Sequence, residues 1–147
     1  MNEKIVFLGT PEFAACILEG LLKNNYNVVA VVTQPDKLVG RKKVLTFSPV
    51  KEVALKNNIK VFQPSSLKND YEFLKDFEFD LLITAAYGQF LPEAVLKMAK
   101  INSINVHGSL LPKYRGGAPI QRAIINGDKK TGITIIKMVN KMDAGVM

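Results

Sequence analysis

The sequence predicts an α/β fold: a Rossmann-like, mostly parallel sheet with helices on both faces, in a single domain. Three observations predict it. Short, nearly continuous apolar runs at Lys4 to Leu8, Val28 to Val32 and Asp80 to Ala86 read as strands covered on both faces. Between the first two, Ala14, Ile17, Leu18, Leu21 and Leu22 fall on one helical face, so the chain opens strand, helix, strand, which implies parallel pairing. The 147 residues, 48% hydrophobic and 22% charged, suit one ordered domain with a substantial core.

The elements follow in order. Gly9 turns the chain out of the first strand, Thr10 is expected to cap the helix, and Pro11 suits its first position. Gly9-Thr10-Pro11 stands where a dinucleotide fingerprint would, but lacks its glycines, which argues against a nicotinamide-dependent dehydrogenase. Thr33 to Thr46 reads as a long loop carrying Arg41, Lys42 and Lys43 beside Gly40. Such a cluster is either a solvated charged loop or a segment that tracks phosphates. Ser48 and Pro49 mark a helix start, with Val50, Val53 and Ala54 inward, and Val61-Phe62 reads as a short strand. Helices are expected over 70–77, 92–100 and 118–126, and a last strand over 131–138.

Composition narrows the function classes. A net charge of +7 favours an anionic partner without identifying it. One cysteine excludes an internal disulfide, and Cys16 reads as a small core residue of the first helix. With one cysteine and one histidine, no zinc or other metal site is expected. No apolar run is long enough to span a membrane and no signal peptide is evident, so a cytoplasmic protein without membrane contact is expected. A monomer is the expected state.

The chemistry concentrates in Ile104-Asn105-Val106-His107-Gly108-Ser109. Its alternation sends Asn105 and His107 to one face of a strand that stops abruptly, where α/β folds keep their ligands. A structural Asn–His pair is the ordinary alternative. Tyr87, Phe90 and Leu91, on either side of Gly88 at another strand end, either fill the core or wall a pocket for an aromatic heterocycle.

These residues carry a resemblance. Asn105 to Pro112 with Tyr114-Arg115-Gly116 resembles the folate-dependent formyltransferases, and the likeness covers essentially the whole chain. Thr33-Gln34-Pro35-Asp36, the basic loop, Ser48-Pro49-Val50-Lys51 and Ala118-Pro119-Ile120-Gln121-Arg122 narrow it to members that formylate initiator methionyl-tRNA. The resemblance implies 10-formyltetrahydrofolate as co-substrate and Asn105, His107 and Asp143 as catalytic residues. It implies a folate pocket lined by Gly88, Gln89, Phe90 and Leu91 with Ser109, Leu110, Leu111 and Pro112. It also places Arg41, and with it Lys42 and Lys43, against the tRNA acceptor end. If the 131–138 strand lies parallel to the Asn105 strand, Asp143 would sit at the same sheet edge. Family members continue into a C-terminal β-barrel, so residues 1–147 are expected to be the catalytic domain. Val146 departs from the acidic residue many relatives carry there. Related enzymes acting on a sugar nucleotide or glycinamide ribonucleotide, a formyltetrahydrofolate hydrolase, and a non-catalytic nucleic-acid-binding module are the alternatives.

Overall fold

A computed structural model of the chain describes residues 2–108 and 132–138. Among them, strands β1 (Lys4–Gly9), β2 (Asn27–Val32), β5 (Lys60–Phe62), β6 (Leu81–Ala85), β7 (Asn102–His107) and β8 (Thr134–Lys137) form one sheet in the order β5-β2-β1-β6-β7-β8. All neighbours pair in parallel except β7 and β8. Strands β3 (Lys37–Val39) and β4 (Val44–Thr46) form a separate antiparallel ribbon.

The apolar runs are buried on both faces, as their lack of alternation demands. From β1, Ile5 and Phe7 face a core built with helices α1 (Glu12–Lys23) and α2 (Pro49–Lys56), through Ala14, Ala15, Leu18, Val50, Val53 and Ala54. Val6 and Leu8 face the other way, into a core with Leu67, Leu74, Phe79, Leu82 and Val95. That second core is closed by a 3₁₀ helix at Glu72–Asp76 and by the short helix α3 (Glu93–Leu96). Helices therefore cover both faces.

Several expectations are corrected. Thr10 does not cap α1. Pro11 holds the N-cap position without a side-chain hydrogen bond, and the Thr10 hydroxyl instead donates to the Tyr87 carbonyl at 2.8 Å. Cys16 is exposed, because Ala14, Ala15 and Leu18 take the inward face and residue 16 projects from the opposite one. The 33–46 stretch is not all loop, since it folds on itself as the β3–β4 ribbon. The helix expected over 70–77 is only a 3₁₀ turn, anchored by Phe73 and Phe77 packed on Phe62 at 4.4 and 5.5 Å between ring centroids. Helix α3 stops at Leu96 because Lys100 and Ile101 donate to the Phe79 and Asp80 carbonyls, drawing the chain into β7. The α2 expectation holds in detail: Ser48 caps it, accepting from the Lys51 N–H at 3.0 Å. The helix expected over 118–126 lies outside the described residues.

Gly9 is fixed by space. A Cβ there would lie 2.7 Å from the Ala14 Cβ and 2.8 Å from the Ala85 carbonyl oxygen. The turn from β1 into α1 closes against the end of β6 only without a side chain. Gly9→Ala is expected to destabilise the domain by about 1–3 kcal/mol, an overpacking cost, read as a lower urea midpoint at unchanged slope.

Candidate active site

The pleat of β7 decides which of its side chains can do chemistry. Ile104 and Val106 pack towards α1 and α2, so Ser103, Asn105 and His107 stand on the other face. Ser103 is used structurally, its hydroxyl donating to the Leu96 carbonyl at 2.7 Å. Asn105 and His107 are brought together at the carboxyl end of the strand, beside Thr84 of β6 and Ile136 and Thr134 of β8. The Thr84 hydroxyl donates to Asn105 Oδ1 at 2.8 Å. His107 is only 5% exposed.

Around this edge, side-chain amides and hydroxyls tie the loops to one another. Thr10 Oγ1 links β1 to β6 through the Tyr87 carbonyl and accepts from the Gln34 N–H at 3.3 Å. Gln34 passes the connection on, its Oε1 accepting from Gln89 Nε2 at 2.8 Å. Gln89 Nε2 also donates to the Pro64 carbonyl at 3.0 Å, while its Oε1 accepts from the Leu67 N–H at 2.7 Å. Gly88, at a φ of +95°, presses on Gln34: a Cβ there would meet Gln34 Nε2 at 2.8 Å.

This lattice separates the four residues expected together in a pocket. Both Gln89 amide protons are engaged within the protein, so its side chain braces the loop. Leu91 packs into the second core, whereas Phe90 is 59% exposed. Tyr87 is buried, its hydroxyl without a hydrogen-bond partner among the described residues and its pKa pushed up to about 12 by that burial. Of the two readings for Tyr87, core filling is the one its burial supports.

Arg41, Lys42 and Lys43 occupy the turn between β3 and β4 and are exposed. Gly40 and Lys43 take positive φ values of 78° and 48°, and the Lys43 N–H donates back to the Gly40 carbonyl at 3.1 Å. The root of the ribbon is anchored by Asp36, which accepts from Lys51 Nζ at 3.0 and 3.1 Å and from Gln63 Nε2 at 2.7 Å. Lys51 Nζ also sits 3.8 Å from the centre of the Phe47 ring. The ribbon leaves the sheet at the carboxyl end of β2, three strands from β7, a separation of about 14 Å at ordinary strand spacing.

Asp143, Ser109, Leu110, Leu111 and Pro112 lie outside the described residues. The last strand is not parallel to the Asn105 strand, as the placement of Asp143 at the His107 edge required: β8 runs antiparallel to β7, with Thr134 opposite His107 and Lys137 opposite Ile104. Met138, bonded through its N–H to the Ser103 carbonyl, therefore leaves the sheet at the amino end of β7. Sequence reasoning also missed Thr84. Its signal was present: a hydroxyl inside the buried run Leu81-Leu82-Ile83-Thr84-Ala85 requires a partner.

A mostly parallel sheet with helices on both faces and polar side chains gathered at its carboxyl edge places the chain in the α/β class, whose ligands bind at that edge. The chain matches the family described as Formyl transferase over residues 3–147, and it belongs to that family. It is 66% identical over 145 residues to a protein of Ligilactobacillus salivarius and 63% identical to one of Lactiplantibacillus plantarum, both named methionyl-tRNA formyltransferase. Each match covers 97% of this chain, and the chain spans about half, 46%, of the length of those relatives. Among solved structures, phosphoribosylglycinamide formyltransferase from Bacillus halodurans superposes with a TM-score of 0.76 over 98% of this chain and 76% of its own. At 20% identity, that likeness speaks to the fold alone. No helix among the described residues is long and apolar enough to cross a membrane.

The Gln63 amide and Lys51 ammonium hold the Asp36 carboxyl below its usual pKa. A carboxylate with a depressed folded-state pKa stabilises the fold above its unfolded value of about 4, and the contribution is lost as pH falls through the folded value. Asp36→Asn should therefore be less stable than the wild type near neutral pH. The difference should shrink below about pH 4, as thermal melts across that range would read.

Proposed function

We propose that this chain carries the catalytic machinery of an enzyme transferring formyl from 10-formyltetrahydrofolate to the α-amino group of initiator methionyl-tRNA. The observation that carries the reading is the identity of 66 and 63% to the two relatives of that name. The placement of Asn105 and His107 on one face at a strand's carboxyl end supports it. The proposed setting is the cytoplasm, with the enzyme acting as a monomer.

The reaction asks little of a base. An α-amino group titrates near pH 7.7–8.0 in model compounds, so a usable fraction is free amine at neutral pH. Its nitrogen attacks the formyl carbon, and the C–N bond to the folate breaks once the tetrahedral oxyanion collapses. Two demands remain: donors aimed at the oxyanion, and a route for the proton from the new ammonium to the departing nitrogen. In this proposal Asn105 donates its amide N–H to the oxyanion. His107 donates through its imidazole to the same oxygen or carries the proton. Asp143 would orient that imidazole. Five residues from Met138 can span about 17 Å, against about 13 Å along β7 from Ser103 to His107. The antiparallel strand thus leaves the role within reach.

The folate would be held by residues 109–112 with the backbone near Gly88 and the exposed ring of Phe90, while Gln89 keeps that loop in place. Arg41, Lys42 and Lys43 would meet the acceptor-stem phosphates. The rival acceptor, glycinamide ribonucleotide, is suggested by the solved structure of similar fold. Its 20% identity gives it less weight than the relatives above.

Labelled formyl should pass from 10-formyltetrahydrofolate to initiator methionyl-tRNA and not to glycinamide ribonucleotide. Asn105→Ala should lower kcat by roughly 10²–10³, the loss of one oxyanion donor, and His107→Ala and Asp143→Ala should each remove most transfer. An active, well-folded His107→Ala protein would overturn the mechanism. Arg41→Ala should raise KM for the tRNA and flatten its salt dependence while folate binding is unchanged. Equal loss of both would count against a nucleic-acid role for the ribbon.

A further inference from the structure

A carboxamide has one accepting end and one donating end, so whichever end faces a fixed neighbour decides what the other presents. For Asn105 that neighbour is Thr84, 3% exposed and opposite it in the β6–β7 register. The Thr84 hydroxyl carries one proton and has two acceptors near it: Asn105 Oδ1 at 2.8 Å and the Met138 thioether sulfur at 3.7 Å. If the proton went to the sulfur, Thr84 could only accept, and the amide would turn its Nδ2 inward and its oxygen outward. A thioether is a weak acceptor beside a carboxamide oxygen. The proton therefore goes to Asn105 Oδ1, and Nδ2 turns away from Thr84.

We propose that Thr84 is a positioning residue that sets the Asn105 amide donor-outward, through the Thr84 hydroxyl held between Asn105 Oδ1 and the Met138 sulfur. The inference rests on the reading of Asn105 as the oxyanion donor. An amide turned the other way would aim a lone pair at the developing negative charge. Burial fixes the choice: Thr84 has almost no access to water, and a parallel strand on each side holds its backbone.

The test is steady-state formyl transfer by the full-length enzyme carrying Thr84→Val, Thr84→Ser or Thr84→Ala. Valine keeps the shape and removes the hydroxyl. It should lower kcat about tenfold, the size of one buried hydrogen bond felt in the transition state, with both KM values near wild type. Serine, which keeps the donor, should restore kcat. Alanine reads the same loss as valine should the larger side chain disturb folding. In an Asn105→Ala background, Thr84→Val should have no further effect on kcat. The Asn105 side-chain NH₂ signals in an asparagine-labelled ¹⁵N spectrum should move in Thr84→Val and hold in Thr84→Ser. Wild-type kcat in Thr84→Val alongside an inactive Asn105→Ala would overturn the proposal. Full activity of Asn105→Ala would overturn instead the reading beneath it, whatever the spectra show.

Discussion

Parallel pairing across β5, β2, β1, β6 and β7 is the constraint on which the rest of the structure depends. Strands that run the same way must end on the same side. Every residue placed just past a strand end is therefore delivered to one edge: Thr10 after β1, Gln34 after β2, Gln63 after β5, Tyr87 after β6 and Gly108 after β7. The burial of both sheet faces under apolar side chains leaves that edge as the place where polar groups can gather without losing hydrogen bonds.

What gathers there divides into structure and chemistry. Thr10, Gln34, Gln63 and Gln89 bond mainly to one another and to loop carbonyls, binding four connections into a single platform. Beside that platform the β6–β7 ladder pairs Thr84 with Asn105, which brings the Thr84 hydroxyl within 2.8 Å of Asn105 Oδ1. Placement at this scale is what stabilising a developing charge requires, since a donor helps only where it already points. The β3–β4 ribbon is rooted in the same platform through Asp36, whose carboxylate is shared by Lys51 and Gln63.

The fold was legible where one signal dominated. Continuous apolar runs marked β1, β2 and β6, and Ser48-Pro49 marked the start of α2 because capping is a local interaction. Misread elements were decided by distant partners. Thr10 resembles a helix cap, but its hydroxyl finds a carbonyl 77 positions away. The 92–100 helix is cut short by hydrogen bonds to residues 79 and 80, which no helical pattern reveals. Strand direction has no periodic signature, so the reversal of β8 could not be read from its isoleucines. The shared face of Asn105 and His107 was legible from alternation alone, whereas the bracing role of Gln89 and the Thr84 hydroxyl on Asn105 depended on register.

The β3–β4 ribbon shows what an uncovered pair of strands entails. Leu38, Val39, Val44 and Leu45 are each more than half exposed, and both ribbon edges are open among the described residues. Such an edge is a template for pairing with another copy of the same chain. Arg41, Lys42 and Lys43 sit at its tip, so two ribbons meeting tip to tip bring like charges together. Like charge at the tip therefore opposes such a meeting, and the same charge is what the proposed contact with phosphates would use. Neutralising that short basic run would be expected to show in colloidal behaviour as well as in the proposed binding.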